Sequence, residues 1–313
     1  MDMKDLERSI LENIVLEGVK EQRRNRRWRV FFRLAWIVII LIVLIAVMSK
    51  EDKDSFKAEK RHVAVIDLNG VINGENETYK NLDKGLEKAL KNKNTVAVII
   101  RANSPGGSPI YSDMLYNEIG RLRKVYPNTP IEVAIEEMCA SGCYYIASAA
   151  NDIYANPSSI VGSIGVIYMG FGATGAMDKL GIDSRLLISG KNKAMGYPFI
   201  ASNKEQVQMQ QQMLNEVHEQ FITAVKNGRG KRLGNDPDLF TGRYWIGIDA
   251  RKLGLIDGYG TVDSIARDKF KTDNVIDFTY HEDGVDKIMK KFSDDLVDSA
   301  KQLVATPEFG FMR

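Results

Sequence analysis

Three short loops in the 313-residue sequence carry residue types that suit acyl-transfer chemistry. The first, NSPGG at 103–107, follows an apolar run, and consecutive glycines let backbone N–H groups approach a ligand without a Cβ atom in the way. The second places Ser141 next to Gly142, where a strand is expected to meet a helix. The third, SGKNKAMGYP at 189–198, is a loop with two lysines, Lys191 and Lys193. Together they offer a hydroxyl, an amine and N–H donors.

Each loop has a simpler explanation when it is taken alone. A Pro-Gly pair after a strand is a common turn. A serine before a helix is commonly an N-cap, and for Ser141 alone that interpretation is favoured. A lysine pair in a loop is usually solvated surface. The sequence therefore indicates chemistry only through the combination of the three loops.

Alternating apolar runs and helical patterns place these loops in an α/β domain with a mostly parallel sheet. Thr95–Arg101 is nearly continuous in apolar residues, as expected for a parallel strand that is covered on both faces. The small residues of 140–150 predict a closely packed helix around Ser141. The other predicted strands are 62–72, Ile131–Ile135, Asp152–Ala155, Ser163–Tyr168 and Arg185–Ser189, and the other helices are Ile110–Val125 and Lys204–Asn227.

Charge and cysteine content limit the function classes. With 43 Lys and Arg against 41 Asp and Glu, the net charge of +2 argues against a nucleic-acid protein held by a basic field. Cys139 and Cys143 are too few to close a zinc site, and no histidine is near them in sequence. They could pair in an oxidising compartment, but two small residues packed around a turn is the default interpretation. We predict neither a metal nor a cofactor.

The N-terminal region predicts a membrane anchor. Seven basic residues and one acid between Lys20 and Arg33 precede the uncharged apolar run 34–48. Extended back to Val30, this run has nineteen residues, close to the roughly 20 that span a bilayer as a helix. The basic flank predicts a cytoplasmic N-terminus, with everything after Lys50 outside. A cleaved signal peptide or a buried core helix fits less well.

These patterns divide the chain into five parts. Residues 1–29 form a basic cytoplasmic segment with an amphipathic helix at Asp5–Val19, and 30–48 form the transmembrane helix. Residues 49–61 form a charged tether, 62–275 the catalytic domain and 276–313 a C-terminal segment.

The ordered motifs resemble the signal peptide peptidase A family of bacterial serine peptidases. The matching segments are NSPGG after a strand, ASG-x-YYIA from Ala140, VGSIGV from Val161, the lysine of G-x-x-K before a proline, and GR-x-W from Gly242 with LGLID at 253–257. The resemblance covers about Arg61–Phe270 and implies a Clp-protease/crotonase-type fold behind the anchor. The family's usual second glycine after the nucleophile is Cys143 here, which is the one departure.

The resemblance also implies the roles of the site residues. Ser141 falls on the nucleophile, Lys193 (not Lys191) on the dyad lysine, and Ser163 on a serine that helps hold the lysine amine. The expected donors of the oxyanion hole are the N–H groups of Gly107 and Gly142, with Gly106 close by. A lysine acts as a base only when it is neutral, so we expect burial to lower the pKa of Lys193.

Three alternatives compete for this chemistry. A Clp-type histidine is excluded because His62, His218 and His281 all lie outside the stretch between Ser141 and Lys193. An acyl-CoA enzyme of the crotonase type would leave Ser141 and Lys193 without roles. A cysteine nucleophile is disfavoured because neither cysteine occupies the motif's serine position.

By the same resemblance we expect a homo-oligomeric ring in the bacterial inner membrane, with the catalytic domain on the extracytoplasmic side. Its substrates would be released signal peptides and other apolar peptides. A broader membrane-protein quality-control protease and an inactive peptide-binding scaffold are the alternatives. In some members of the family a second site binds the protein's own C-terminal segment, and the tail Thr306–Arg313 could bind in the same way.

Overall fold

The computed structural model describes residues 26–41, 58, 60–74 and 78–280. The chain divides into two compact units, Met1–Lys60 and Arg61–Arg313. In the first unit, residues 26–41 form helix α1, and the rings of Trp28, Phe31 and Phe32 contact one another on its exposed surface.

The predicted anchor is only partly within the described residues. Among them, no helix combines the length and the apolar character that crossing a membrane requires. Positions 42–48 of the predicted span, the predicted helix Asp5–Val19 and the tail from 281 onward lie outside the described residues.

In the second unit, the described strands form one mixed, mostly parallel sheet in the order β6-β5-β3-β2-β1-β8, and β4 joins β3 to β7. Among these described pairs, only β5 and β6 are antiparallel. The strands are β1 (His62–Asn69), β2 (Thr95–Ser104), β3 (Ile131–Ala140), β4 (Ile153–Ala155), β5 (Ile160–Gly162), β6 (Tyr244–Ile246), β7 (Gly258–Tyr259) and β8 (Val275–Asp277). The predicted α/β fold is confirmed.

Helices cover both faces of the sheet. The helices of this unit are α2 (Thr78–Lys91), α3 (Pro109–Val125), α4 (Gly142–Ala147), α5 (Thr174–Leu180), α6 (Lys204–Arg229), α7 (Gly247–Lys252) and α8 (Val262–Asp268). Leu82 and Leu86 of α2 are fully buried, and the burial of each such side chain stabilises the fold by about 1.5–3 kcal/mol. On the α8 side, Ile265 and Ala266 belong to a core cluster with apolar residues of β1, β2 and β3.

Strand β3 changes partner half-way along its length. Val133–Ile135 pair with β4, whereas Met138–Ala140 pair with β5. On its other side, Ala102 of β2 is in register with Ile135 but Ser104 is in register with Cys139, so β3 has two extra residues there. A bulge of this kind bends a strand and redirects its remaining residues. The C-terminal half of β3 therefore lies between β2 and β5, and Ser141 follows it directly.

Two predicted strands are wrong. Residues 163–168 leave the sheet because Ser163 has a φ of 51°, which turns the chain out of the extended conformation directly after β5. The apolar residues Leu186, Leu187 and Ile188 of the segment 185–189 are exposed, and no strand in the described part of the chain pairs with them. The helix predicted over 140–150 covers only Gly142–Ala147, because β3 continues to Ala140.

A buried ion pair ties the end of α6 to the sheet. The Arg229 guanidinium, whose side chain is fully buried, donates to both carboxylate oxygens of Asp257 at 2.7 and 2.9 Å. Its Nε also donates to the Gly254 carbonyl, and Asp257 accepts the N–H of Ile153 in β4. Burial alone would raise the pKa of Asp257, but these donors outweigh it and hold the pKa below its ordinary value.

We expect Asp257→Asn to lower the free energy of unfolding by about 3 kcal/mol at pH 7, because Arg229 would keep a buried charge without a counter-charge. A lowered folded pKa gives stability that is present above the unfolded carboxyl pKa, about 3.9, and is lost as pH falls through the folded pKa. The difference between wild type and variant should therefore shrink below about pH 4 in urea titrations.

Asp249→Asn is the matched control, since it removes a surface pair with Lys252 whose side chain is 70% exposed. That change should leave the free energy of unfolding nearly unchanged, because solvent screens an exposed pair. Equal losses in the two variants would contradict the role given to the buried pair.

Candidate active site

Ser141 occupies a tight turn between β3 and α4. Its φ of 51° and ψ of −124° form a conformation that non-glycine residues rarely adopt and that costs about 1–3 kcal/mol. The turn is held by hydrogen bonds from the Ser141 N–H to the Gly162 carbonyl (2.8 Å) and from the Tyr145 N–H to the Ser141 carbonyl (3.0 Å). The Ser141 side chain makes no capping bond to α4, so the N-cap explanation does not account for it.

The glycine loop after β2 packs directly against this turn. A Cβ atom on Gly106, whose φ is 99°, would lie 2.7 Å from the Ala140 carbonyl oxygen and the Gly142 nitrogen, and 2.8 Å from the Ser141 Cβ. Such distances are below van der Waals contact, so only glycine allows this approach. The structure therefore brings together four of the residues that the sequence singled out, Gly106, Gly107, Ser141 and Gly142.

The Gly107 N–H does not bond to Ile72, its partner in a parallel bridge. The two hydrogen bonds of this bridge involve the residues on either side of Gly107. Ile72 donates its N–H to the Gly106 carbonyl, and Ser108 donates its N–H to the Ile72 carbonyl. The Gly107 amide is thereby directed away from Ile72, and its nitrogen lies 3.2 Å from where a Cβ of Gly142 would stand. The geometry suits a pair of N–H donors beside Ser141.

Two buried serines, Ser104 and Ser112, support this arrangement, although neither of them was assigned a role from the sequence. The Ser104 hydroxyl donates to the Gly70 carbonyl and accepts the Gly106 N–H, so it fixes the start of the glycine loop. The Ser112 hydroxyl donates to the Ser108 carbonyl and lies against Gly142. The role of Ser104 could have been suspected from the sequence, because it is a serine at the end of an apolar strand. Ser112 cannot be distinguished in the sequence from an ordinary helix residue.

Ser163 lies beside Ser141 because of strand register. Ala140 pairs with Gly162, so the next residues along β3 and β5 are Ser141 and Ser163. The Ser163 N–H donates to the Arg243 carbonyl at 2.9 Å, and Arg243 stacks over the ring of Trp245 in β6. The GR-x-W segment thus has a structural role, which is to hold the chain that follows β5.

Among the described residues, no hydrogen bond joins Lys193 to Ser141. It lies in a turn, with its N–H donating to the Gly190 carbonyl, and its side chain is exposed. Among the residues the structure describes, none forms a hydrogen bond or ion pair with the Lys193 amine. The expected burial of Lys193 is therefore not present in the single chain.

The lysine loop is anchored to α6, and α6 is anchored to the site. Gln206 donates to the Lys191 carbonyl at 3.1 Å, and a cleft of about 460 Å³ separates this loop from the first turns of α6. Further along α6, a ring nitrogen of His218 lies 3.0 Å from the Ile164 carbonyl oxygen, and Phe221 stacks on Tyr145 of α4 at 4.8 Å.

Helix α4 is also held on its α3 side. The Tyr145 hydroxyl donates to Asp113 of α3 at 2.9 Å, and burial together with this carboxylate raises the pKa of Tyr145. The Tyr145 hydroxyl therefore stays protonated and available as a donor at neutral pH. It links the helix that follows Ser141 to α3.

Cys139 and Cys143 form a disulfide across the serine turn, with Cα atoms 5.1 Å apart. The default interpretation, two small residues packed without a bond, is wrong. An i, i+4 spacing is equally typical of one helix face, and only the strand-turn-helix geometry brings these two side chains together.

Comparisons with known proteins show similarity to peptidases. The family model described as Peptidase family S49 matches residues 124–275. A putative protease of Methanocaldococcus jannaschii is 32% identical over 70% of this chain and 73% of its own length. A putative signal peptide peptidase of Enterococcus faecium is 28% identical over 70% of this chain and 67% of its own.

Other matches are more limited in scope. A protein named Na(+)/H(+) antiporter from Brucella abortus is 39% identical over 68% of this chain, but the match spans only 30% of that protein's length. A solved membrane-bound stomatin-specific protease in complex with a substrate peptide gives a TM-score of 0.48 at 17% identity, over 75% of this chain and 99% of that one.

Gly106→Ala should reduce hydrolysis of an apolar peptide by about 100-fold, because the new methyl group would displace the Ser141 turn by a few tenths of an ångström or more. The matched control is Gly120→Ala in α3, where an added Cβ meets nothing within 4 Å. The control should keep full activity and gain about 0.5–1 kcal/mol in stability. Wild-type turnover in Gly106→Ala would show that the close approach is not required.

Proposed function

Because this chain belongs to peptidase family S49 and is a serine protease, we propose that Ser141 is its nucleophile and Lys193 its general base. The observation that carries the proposal is the conformation of Ser141. Its backbone is held in an unfavourable region, its side chain makes no capping bond, and Gly106 packs directly against its Cβ atom. Unfavourable backbone conformations concentrate at functional sites, where the surrounding structure determines them.

In the proposed reaction, Lys193 serves first as general base and then as general acid. The neutral Lys193 amine accepts the proton of the Ser141 hydroxyl while Oγ attacks the peptide carbonyl carbon. The N–H groups of Gly107 and Gly142 donate to the oxygen that becomes negative. Collapse of the tetrahedral intermediate expels the amine, which takes the proton back from Lys193. The Lys193 amine then accepts a proton from a water molecule, which attacks the acyl-enzyme and hydrolyses it. Ser163, uncharged and adjacent to Ser141 in register, orients the amine without raising its pKa.

Lys193 has to be covered before it acts as a base. Large apolar side chains of the segment between Ser163 and Lys193 are exposed, including Leu187 at 96% and Ile167 at 85%. Exposed apolar surface of this extent is typical of an interaction site. We propose that assembly of a homo-oligomeric ring, together with a bound apolar peptide, covers this region, removes water from Lys193 and lowers its pKa.

We further propose that the domain has the Clp-protease/crotonase-type fold, is anchored by residues 30–48 and faces the extracytoplasmic side of the bacterial inner membrane. The basic block before the apolar run supports this orientation. The disulfide supports it independently, because disulfides persist in oxidising compartments. Released signal peptides are the substrate class that such an anchored peptidase would meet.

Ser141→Ala and Lys193→Ala should each lower kcat for an apolar peptide by about 10⁴-fold or more, since the two residues act as a unit. Lys191→Ala is the matched control from the same loop and should stay within about 3-fold of wild type. Unchanged unfolding transitions would show that all three variants are folded. If either dyad variant keeps near-wild-type turnover, the assigned dyad is incorrect.

The substrate class has a separate test. Membranes of cells that carry Ser141→Ala in place of the wild type should accumulate cleaved signal peptides, measured by mass spectrometry of extracted peptides. The matched strain carries Lys191→Ala and should not accumulate them. Accumulation of fragments from many membrane proteins would point instead to a broader quality-control protease, and trapped but uncut peptides on wild-type protein to a binding scaffold.

A further inference from the structure

The covalent bond between Cys139 and Cys143 encloses the serine turn. Cys139 is the penultimate residue of β3, Cys143 is the second residue of α4, and Ser141 is the middle residue of the five that the bond spans. Both cysteines are fully buried, and they are the only two in the sequence. The ring thus contains both Ser141 and the Gly142 amide.

The two ends of the bond differ in how firmly they are held. Cys139 is in register with Ser104 of β2 on one side and with Val161 of β5 on the other, so the sheet fixes it on both sides. Cys143 belongs to a helix of six residues, too short to be stable by itself. The disulfide therefore connects a rigid strand to a helix that depends on its surroundings.

The turn needs such a connection. Two backbone hydrogen bonds, to the Gly162 carbonyl and from the Tyr145 N–H, hold Ser141 in its unfavourable conformation without a covalent link. At the same time the Gly142 amide has to stay aligned with Gly107, which belongs to a different loop. A cross-link from 139 to 143 restricts both positions at once.

We propose that the Cys139–Cys143 disulfide is a positioning element of the active site, which keeps Ser141 and the Gly142 N–H aligned with Gly107, so that turnover depends on its redox state. This inference rests on the proposed role of Ser141 as nucleophile. Reduction by a dithiol breaks the S–S bond: the dithiol supplies two electrons and two protons, the cysteines become two thiols, and the dithiol becomes its own disulfide. Since both sulfur-bearing residues are buried, reduction requires the turn to open.

The test uses the full-length protein before and after treatment with dithiothreitol, with the thiol state measured by mass after alkylation. Reduction should lower kcat for an apolar peptide by about 10-fold while KM changes less than about 2-fold, because the misplaced groups act in the transition state. Amide hydrogen exchange should rise in residues 140–147 and stay unchanged in β1 and β2. Reoxidation should restore both measurements.

The matched control is the double variant Cys139→Ala/Cys143→Ala, which should show the lowered kcat with and without dithiothreitol. Unchanged kcat and exchange in fully reduced wild type would overturn the proposal, and so would two free thiols in the purified protein. Loss of exchange protection across the whole sheet on reduction would also overturn it, because the bond would then hold the fold rather than the turn. If no peptide is cleaved in either redox state, the proposed function fails, while hydrogen exchange still decides whether the bond orders the turn.

Discussion

The whole site depends on the parallel pairing of β3 with β2 on one side and β5 on the other. Parallel strands end at the same edge of a sheet, so the loops that follow these three strands meet there. Register then sets the details: Ser104 faces Cys139, and Ala140 faces Gly162. The glycine loop, the serine turn and Ser163 are adjacent for this reason, although roughly 60 residues of chain separate the first from the last. The bulge that bends β3 makes the register compatible with both neighbours.

The sequence predicted those parts of the fold that local pattern determines. Continuous apolar runs are diagnostic for covered parallel strands, and β1 and β2 followed from them, as did the α/β class. The failures at 163–168 and 185–189 share one physical cause. Apolar, β-branched segments have strand propensity, but a strand exists only where a partner lies beside it, and pairing is a property of the tertiary structure. At Ser163 the positive φ of 51° turns the chain away from β5, so the residues after it have no strand beside them in the described part of the chain.

The candidate site divides in a similar way. The motif loops 103–107 and 140–143 were placed in one site through the family resemblance, and the structure joins them through close glycine contacts. The roles of Ser104, Ser112 and the disulfide could not be predicted from the sequence, because these residues contact helices, strands or loops other than their own. Lys193 is a third case: its loop contacts α6, but its side chain is exposed, and under the proposed assembly its environment would be set by what covers the exposed apolar surface. A single chain does not contain that information.

The position of β8 has a consequence for how the protein is made. Its residue Val275 pairs with Val63, so the outer edge of β1 is closed by a strand synthesised roughly 210 residues later. At the usual rate of about 5–20 residues per second, that edge stays unpaired for about 10–40 s during translation. An open strand edge is a template for wrong pairing with other chains. Until β8 has been synthesised, a chaperone or the translocation machinery would therefore have to shield the open edge of β1.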